Sequence, residues 1–331
     1  MKNKGLMILG GFIVVLLVVA ISVSNRQEDK VEDVVGGKIF LAELQDKLND
    51  INQLEIKTGD ATTTIVKEAD TWRVKERNNY RADFVQVKKL LLQLSDLKTI
   101  EPKTKKPENY EKIGVQEPTS GSSNKLVTIS DANQKAIVKV ILGSANKNGT
   151  YVRRPSEDQA WLVDGRIDTP ADLISWLDKF VANINASEIQ SFTLATSKKE
   201  KISAAKSKPD DADFVVADLP KGKELKSASA VNTLAANFRD FKFTNVKPSD
   251  TADLAKAEKS SFEYALFDGV KIKGELFKLE DKDYVILQAL TDVDTAKPRA
   301  EELNALWQGW VYEIPTHKAD SFRKKLSELL K

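Results

Sequence analysis

The chain has 331 residues, of which 41% are hydrophobic and 30% are charged, a balance typical of folded proteins with about two domains. It has no Cys and a single His, which excludes disulfides, thiolate metal centres, cysteine nucleophiles and any site that needs two imidazoles. Two of the 51 Lys and Arg lie in the first 24 residues, which leaves 49 against 49 acidic side chains in the rest. A neutral body has no overall field to attract nucleic acid, so we expect no nucleic-acid partner.

The first predicted element is an apolar segment over residues 6–23, which carries no charge. At about 1.5 Å per residue, a helix of this length spans about 27 Å, close to the roughly 30 Å hydrocarbon core of a bilayer. The alternative is a cleavable signal peptide with a cleavage site at Ala20 and Ser22, but the apolar region of such peptides is shorter. We therefore predict an uncleaved single-pass transmembrane helix, with residues 1–24 as cytoplasmic tail and anchor. The short N-terminal tail and the acidic downstream flank favour a body outside the cytoplasm.

A polar linker over residues 25–37 precedes a first predicted module over residues 38–186. Amphipathic spacing predicts three helices in it, with the buried residues Leu41, Leu44, Leu48 and Ile51, then Phe84, Val87, Leu91 and Leu94, and then Leu173, Trp176, Leu177 and Phe180. Asp83 is the expected cap of the second helix, and Thr169 with Pro170 the expected start of the third. Short alternating segments between the helices predict antiparallel strands joined by hairpins.

A second predicted module over residues 187–331 repeats this order of strands and helices and ends in a helix. A Trp-containing strand precedes an Ala-Asp helix start in both halves, at Trp161 and Ala171 and again at Trp310 and Ala319. We therefore predict an α+β fold of two similar modules, each of mostly antiparallel sheet with packed helices, that arose by internal duplication. The alternative is that both halves share an order of strands and helices that is common in α+β proteins, without a duplication.

The single His and its neighbours do not form a catalytic pattern. His317 and Ser321 are four residues apart, but a Ser–His triad needs an orienting acid and an oxyanion hole, and neither is signalled. Asp168-Thr169-Pro170 is similar to the Asp-Thr-Gly of aspartic proteases, but it lacks the Gly and a second copy. A capping or surface role is the favoured interpretation of both.

The remaining candidates for a binding site are two acidic groups, one loop and one aromatic group. They are Asp210, Asp211 and Asp213; Asp292 and Asp294; the loop at residues 143–149; and Trp307, Trp310 and Tyr312. The acids lack the twelve-residue calcium loop, the loop lacks Gly-Lys-Thr and a following helix, and terminal aromatic residues are usually core. The sequence therefore predicts no catalytic residue, no cofactor site and no metal site.

Several segments taken together resemble one known family. They are LNDINQLEIKTG (48–59), TWRVKER (71–77), ADFVQVKKLLLQLSDLKTIEPKTKKPENYEKIGVQEP (82–118), TYVRR (150–154) and WLVDGRIDTPADLISWLDK (161–179). The chain resembles the bacterial envelope proteins classed as domain of unknown function 4340, over about residues 38–186 and in pattern alone beyond them. The resemblance implies an N-terminal anchor, an extracytoplasmic α+β body and association with ABC-type transport components similar to those of gliding-motility systems. It implies no activity and no catalytic residues.

These observations favour a non-enzymatic accessory or scaffold subunit of an envelope transport system. Its expected location is the inner membrane, held there by residues 6–23, with the body in the periplasm or extracytoplasmic space. Its expected partner is an ABC-type permease or another anchored envelope subunit. The alternatives are an envelope hydrolase with an unrecognised carboxylate site and a ligand-binding module between the two halves.

Overall fold

The structure is a computed structural model that describes residues 37–170, 172–198, 200–217 and 219–331. The predicted anchor over residues 6–23, and all of the predicted linker except Gly37, lie outside the described residues. Among the residues that are described, no helix is both long enough and apolar enough to cross a bilayer.

The described residues form an α+β fold of mostly antiparallel sheet, as predicted. The strands are β1 (Ile51–Lys57), β2 (Thr62–Glu68), β3 (Thr71–Val74), β4 (Tyr80–Arg81), β5 (Thr99–Pro102), β6 (Lys125–Asp131), β7 (Ala136–Ala145), β8 (Thr150–Arg153), β9 (Ala160–Val163), β10 (Phe180–Ala182), β11 (Ile189–Ala195), β12 (Lys201–Ala205), β13 (Val215–Val216), β14 (Phe241–Lys242), β15 (Asn245–Pro248), β16 (Glu258–Leu266), β17 (Lys271–Leu279), β18 (Lys282–Leu290) and β19 (Trp310–Ile314). The α-helices are α1 (Ala42–Gln45), α2 (Phe84–Ser95), α3 (Tyr110–Ile113), α4 (Ala228–Ala235), α5 (Lys297–Trp307), α6 (Thr316–Phe322) and α7 (Leu326–Leu329).

Two compact units divide the chain, and each takes residues from two separate stretches. The first unit comprises the described residues up to 62 together with 90–168, and the second comprises 63–89 together with 169–331. The division therefore differs from the predicted modules, because residues 63–89 and 169–186 group with the C-terminal part of the chain. Tyr80 illustrates the reason, since its buried ring packs edge-on against Trp310, with centroids 4.8 Å apart.

In the first unit the sheet order is β1-β6-β7-β8-β9-β5, and each neighbouring pair is antiparallel. Its apolar side chains alternate along the strands, as the period of two in an extended chain requires. Leu54, Val127 and Val152 are fully buried on this sheet. These side chains form the hydrophobic core of the first unit.

In the second unit the sheet order is β13-β12-β11-β16-β17-β18-β19-β15, again with antiparallel neighbours. Along β17 the buried Ile272 and Leu276 alternate with the exposed Lys273 and Glu275. This is the pattern of a sheet with one face exposed to solvent. Aromatic rings fill the other face, where Phe262 and Phe322 stack at 4.1 Å between centroids.

Six strands of each unit follow the same order. The series β1-β6-β7-β8-β9-β5 corresponds to β11-β16-β17-β18-β19-β15. Along the chain, three strands and one α-helix separate the first and last members of each series. A duplication would be excluded if the strand orders of the two units differed. For these six strands the orders are the same. The duplication itself stays a prediction, which this correspondence supports.

Two of the three helices predicted in the first module are wrong. The segment that contains Leu41 and Leu44 forms only the single turn α1, and Ile51 begins β1, because the residues after it alternate in burial and pair with β6. In place of a third helix there is one 3₁₀ turn, Leu173–Trp176, capped by Asp172 rather than Thr169. Phe180 lies in β10 and is 39% exposed, not buried on a helix face.

The second predicted helix is present as α2. The Asp83 side chain caps it as expected, accepting hydrogen bonds from the backbone N–H groups of Val85 and Gln86 at 2.9 and 3.1 Å. Val87 and Leu94 are buried as expected. Phe84 is 57% exposed, and the buried face of α2 contains Leu90 instead.

Candidate functional site

A groove in the second unit lies between residues 180–184 and helix α5, with a volume of about 280 Å³. We call it the docking groove. Val181, Ala182 and Ile184 are buried on one wall, and the half-buried Leu303 and Leu306 form the other. The charged side chains Arg81, Asp178, Arg299 and Glu302 complete its lining. Apolar surface next to charged groups is the anatomy of a protein–protein interface.

Helix α5 presents two different faces. Its start is favoured by a proline in the first turn, and Ala300 and Trp307 on one face are buried. On the same side, the Asn304 amide donates to the Ala289 carbonyl and accepts from the Ala289 N–H, both at 2.8 Å, and so fixes the helix to β18. The other face carries Arg299, Leu303 and Leu306, whose spacing of four and three residues aligns them on the wall of the groove.

The two walls of the docking groove are joined by one buried hydrogen bond. The Trp307 indole N–H donates to the Val181 carbonyl at 2.6 Å, and the Trp307 side chain is 1% exposed. A buried indole N–H needs such a partner, and the bond holds α5 and β10 at a fixed separation.

Arg299 is held at the edge of the groove by two carboxylates. Its guanidinium donates to Glu188 at 2.6 Å and to Asp268 at 2.5 Å, and all three side chains are about one-third exposed. Partial burial alone would raise the pKa of Glu188, but the hydrogen bond from the Asn185 backbone and the Arg299 guanidinium lower that pKa below its ordinary value. Glu188 is therefore ionised at neutral pH.

Arg81 is fixed in the same way on the opposite wall. Its Nε donates to Asp178 Oδ2 at 2.9 Å, and its Nη2 donates to the carbonyl oxygen of Phe180. The arginine thereby joins β4 to the start of β10.

The charges of the docking groove do not cancel. Two arginines, Arg81 and Arg299, face four carboxylates, namely Asp178 and Glu302 in the lining and the two partners of Arg299. Lys242 lies over the Phe180 ring and pairs with Asp240, so this pair adds no net charge. The groove and its immediate surroundings therefore carry an excess of negative charge at neutral pH.

The structure places His317 on the surface and pairs Ser321 with another residue. His317 is exposed on α6, and the Ser321 hydroxyl donates to the buried Asn237 Oδ1 at 2.5 Å. Asp168 lies close enough to Lys125 to influence the pKa of that amine, and the Pro170 carbonyl accepts the Trp176 indole N–H at 3.4 Å. Thr169 does not cap a helix, as described above.

The acidic residues and the loop serve local structure. Asp211 and Asp213 accept hydrogen bonds from nearby backbone or side-chain amides, Asp210 is exposed, and Asp292 and Asp294 pair with Lys271 and Lys297. Within the described ranges, no three His, Cys, Asp or Glu side chains come together in a group that fits a metal ion. In the loop at residues 143–149, Asn146 Oδ1 accepts the N–H groups of Asn148 and Gly149 and closes the hairpin.

The aromatic candidates lie in the interior. Trp307 and Tyr312 are buried, and the half-buried Trp310 packs against Tyr80. The Tyr312 hydroxyl donates to the Leu306 carbonyl at 2.8 Å, and burial raises the pKa of that hydroxyl to about 12. The buried Trp307 and Tyr312 are therefore not available for stacking on a sugar or a base.

The sequence did not identify the residues of the docking groove as a candidate site. The spacing of Arg299, Leu303 and Leu306 after Lys297-Pro298 is a helix signal that the sequence does contain. The carboxylate partners of Arg299 are 111 and 31 residues away along the chain, and nothing in the sequence pairs them.

The comparisons with known proteins add one match. The family model described as Domain of unknown function (DUF4340) covers residues 72–261, which is more than half of the chain. No curated protein and no solved structure gives a significant match.

Proposed function

The chain belongs to the DUF4340 family of domains of unknown function, and on that premise we propose that it is a non-enzymatic, membrane-anchored accessory subunit of an ABC-type envelope transport system. The observation that carries the proposal is the docking groove, which offers half-buried leucines beside fixed charges. The partner segment is an extracytoplasmic loop of the permease, with an apolar side chain between basic residues.

The geometry of the groove supports binding without rearrangement. Its walls are fixed by the bond from Trp307 to Val181 and by the two arginines, so little conformational freedom is lost when a partner binds. Fixed charges at the edge of an apolar surface select the partner and its orientation, and the leucines supply the contact area.

Glu188 fits binding better than acid catalysis. A general acid at neutral pH needs a raised pKa, whereas Glu188 has a lowered one because the Asn185 backbone and Arg299 stabilise its ionised form against the effect of burial. Glu188 is therefore not suited to be the acid of the alternative hydrolase.

The membrane part of the proposal rests on the sequence. Residues 6–23 anchor the chain in the inner membrane with the N-terminus in the cytoplasm, and the linker at residues 25–37 tethers the body outside it.

Co-purification from native membranes tests the proposal. A tagged full-length chain is expected to retain an ABC permease, and Leu303→Lys is expected to reduce that retention at least tenfold by placing a cation against a basic partner. Leu290→Lys, at a 36% exposed leucine on β18 outside the groove, is the matched control and is expected to retain the permease. Retention of no transport component by the wild-type chain, or equal loss in both variants, would contradict the proposal.

A further inference from the structure

A second cavity, in the first unit, has a chemistry unlike that of the docking groove. It lies where residues 119–124 pass beside Gly114 and Ser144, and its volume is about 330 Å³. That volume is within the usual range of about 300–1,000 Å³ for small-molecule sites. We call it the polar cavity.

The lining of the polar cavity is almost entirely neutral and polar. It consists of the hydroxyls of Thr119, Ser120, Ser122, Ser123 and Ser144, the amides of Gln116 and Asn124, the glycines Gly114 and Gly121, and Glu111. Its one charged side chain is the exposed Glu111, and no Lys or Arg belongs to the lining. Such a wall has hydrogen-bonding capacity without the cationic groups that an anionic ligand requires.

Two amide oxygens at this cavity have no hydrogen-bond partner among the residues that the structure describes. Asn124 is only 2% exposed, and its Nδ2 donates to the Gln116 carbonyl, but its Oδ1 accepts no hydrogen bond. The side-chain Oε1 of Gln116 is buried without a partner as well. A buried acceptor left unpaired is unfavourable, so a donor that reaches these oxygens recovers free energy.

The frame around the cavity is held in place. Asp60 accepts a hydrogen bond from the Ser120 hydroxyl at 2.6 Å and one from the Gly121 N–H at 3.3 Å. The Ser122 hydroxyl accepts the Thr119 N–H at 3.0 Å. On the other side, Gly114 has a positive φ of 70° and lies so close to Ser144 that an added Cβ would be 3.1 Å from the Ser144 hydroxyl oxygen. The cavity is therefore preformed, with its unpaired acceptors beneath the loop.

We propose that the polar cavity binds a neutral polyhydroxylated ligand, namely one saccharide unit. Each sugar hydroxyl both donates and accepts, which matches a wall of serine hydroxyls backed by two unpaired amide oxygens. Both oxygens are covered in this structure, so the direct contacts of the ligand are with the hydroxyls that line the cavity. A metal ion fits less well, since one carboxylate is present and the volume far exceeds that of an ion.

Ligand-observed saturation-transfer NMR on the full-length chain tests this inference. The chain is kept in a zwitterionic detergent without a sugar headgroup, so that the detergent does not compete. The neutral probes are N-acetylglucosamine, glucose and galactose, and glucose 6-phosphate and Ca²⁺ are the charged probes. Ser144→Tyr fills the cavity from its exposed rim, and Lys147→Tyr places the same side chain in the same exposed loop outside the lining.

At least one neutral probe is expected to give a saturable signal. Ser144→Tyr is expected to weaken it at least tenfold, while Lys147→Tyr stays within twofold of the wild type. Unchanged far-ultraviolet circular dichroism of both variants shows that the loss is not unfolding. The inference is overturned if no neutral probe saturates, if glucose 6-phosphate or Ca²⁺ binds more tightly than every neutral probe, or if the two variants behave alike. The permease co-purification does not depend on this result, so the two proposals fail separately.

Discussion

Pro248 lies directly opposite Trp310 on the antiparallel strands β15 and β19. In the first unit, Pro102 lies opposite Trp161 on β5 and β9 in the same way. Each proline is the last residue of the strand at the end of its sheet, a position where its missing N–H removes no bond of the ladder. The same pair at the same end of two sheets with one strand order supports the prediction that the two halves arose by duplication.

An experimental structure would test the duplication. The test superposes the six strands β1 and β5–β9 on their counterparts in the second unit. We expect Trp161 to fall on Trp310 and Pro102 to fall on Pro248. A different pairing partner for either tryptophan, or a different strand order in one unit, would show that the resemblance between the halves is not ancestral.

Trp307 is expected to be the most sensitive residue of the docking groove. Trp307→Phe leaves the Val181 carbonyl without its buried partner and is expected to lower the free energy of unfolding by about 1–3 kcal/mol. Trp307→Ala also leaves a cavity and is expected to lower it by about 3–5 kcal/mol. Urea denaturation measures both. Trp310→Phe, at a half-buried tryptophan, is the control, and a loss there as large as in Trp307→Phe would argue against a special role for this bond.

The free energy of unfolding is expected to depend on pH through the ion pair of Arg299 and Glu188. The pKa of Glu188 in the folded chain is below the ordinary value of 4.5, so its stabilising effect is complete above that value and is lost as the pH falls through the lowered folded pKa. Arg299→Gln is expected to lower the free energy of unfolding by about 1 kcal/mol near pH 7, a modest figure because the pair is one-third exposed. The difference from the wild type should shrink as the pH falls below 4.5.

Urea denaturation between about pH 3 and pH 7 measures this dependence. Lys297→Gln is the matched control, because the Lys297–Asp294 pair is exposed and contributes little. A difference between Arg299→Gln and the wild type that stays constant over the whole range would contradict the linkage to Glu188.

Gly274 is expected to tolerate no side chain. It pairs with Phe262 across β16 and β17, and a Cβ on it would lie 2.0 Å from the Phe262 ring. Gly274→Ala therefore forces that ring out of its stack with Phe322 and is expected to lower the free energy of unfolding by about 1–3 kcal/mol. Lys273→Ala, on the exposed side of the same strand, is expected to change it by less than about 0.5 kcal/mol. Equal stability of the two variants in thermal or urea unfolding would contradict this packing.

Local signals in the sequence predicted one of the three helices of the first module correctly and did not predict the assembly of the groove. The cap at Asp83 and the buried Val87 and Leu94 follow from spacing within one helix. Leu41 to Ile51 fits the same spacing, but pairing with β6 extends Ile51 into a strand, and pairing depends on residues far along the chain.

The site depends on such distant contacts throughout. The walls of the docking groove come from residues 180–184 and from α5, more than a hundred positions later, and Trp307 meets Val181 across 126 residues. The two oxygens of the polar cavity could not be identified either, since an unpaired acceptor is defined by everything packed around it.

Site-specific photocrosslinking in native membranes tests the central claim most directly. A photoreactive amino acid replaces Glu302, an exposed residue of the docking groove, in the full-length chain, and in a matched chain it replaces Gln288 on the exposed face of β18. The account predicts that position 302 captures an extracytoplasmic loop of an ABC permease, at a segment with an apolar residue between Lys or Arg, and that position 288 does not. Capture of the permease equally from both positions, or of no transport component from position 302, would contradict it.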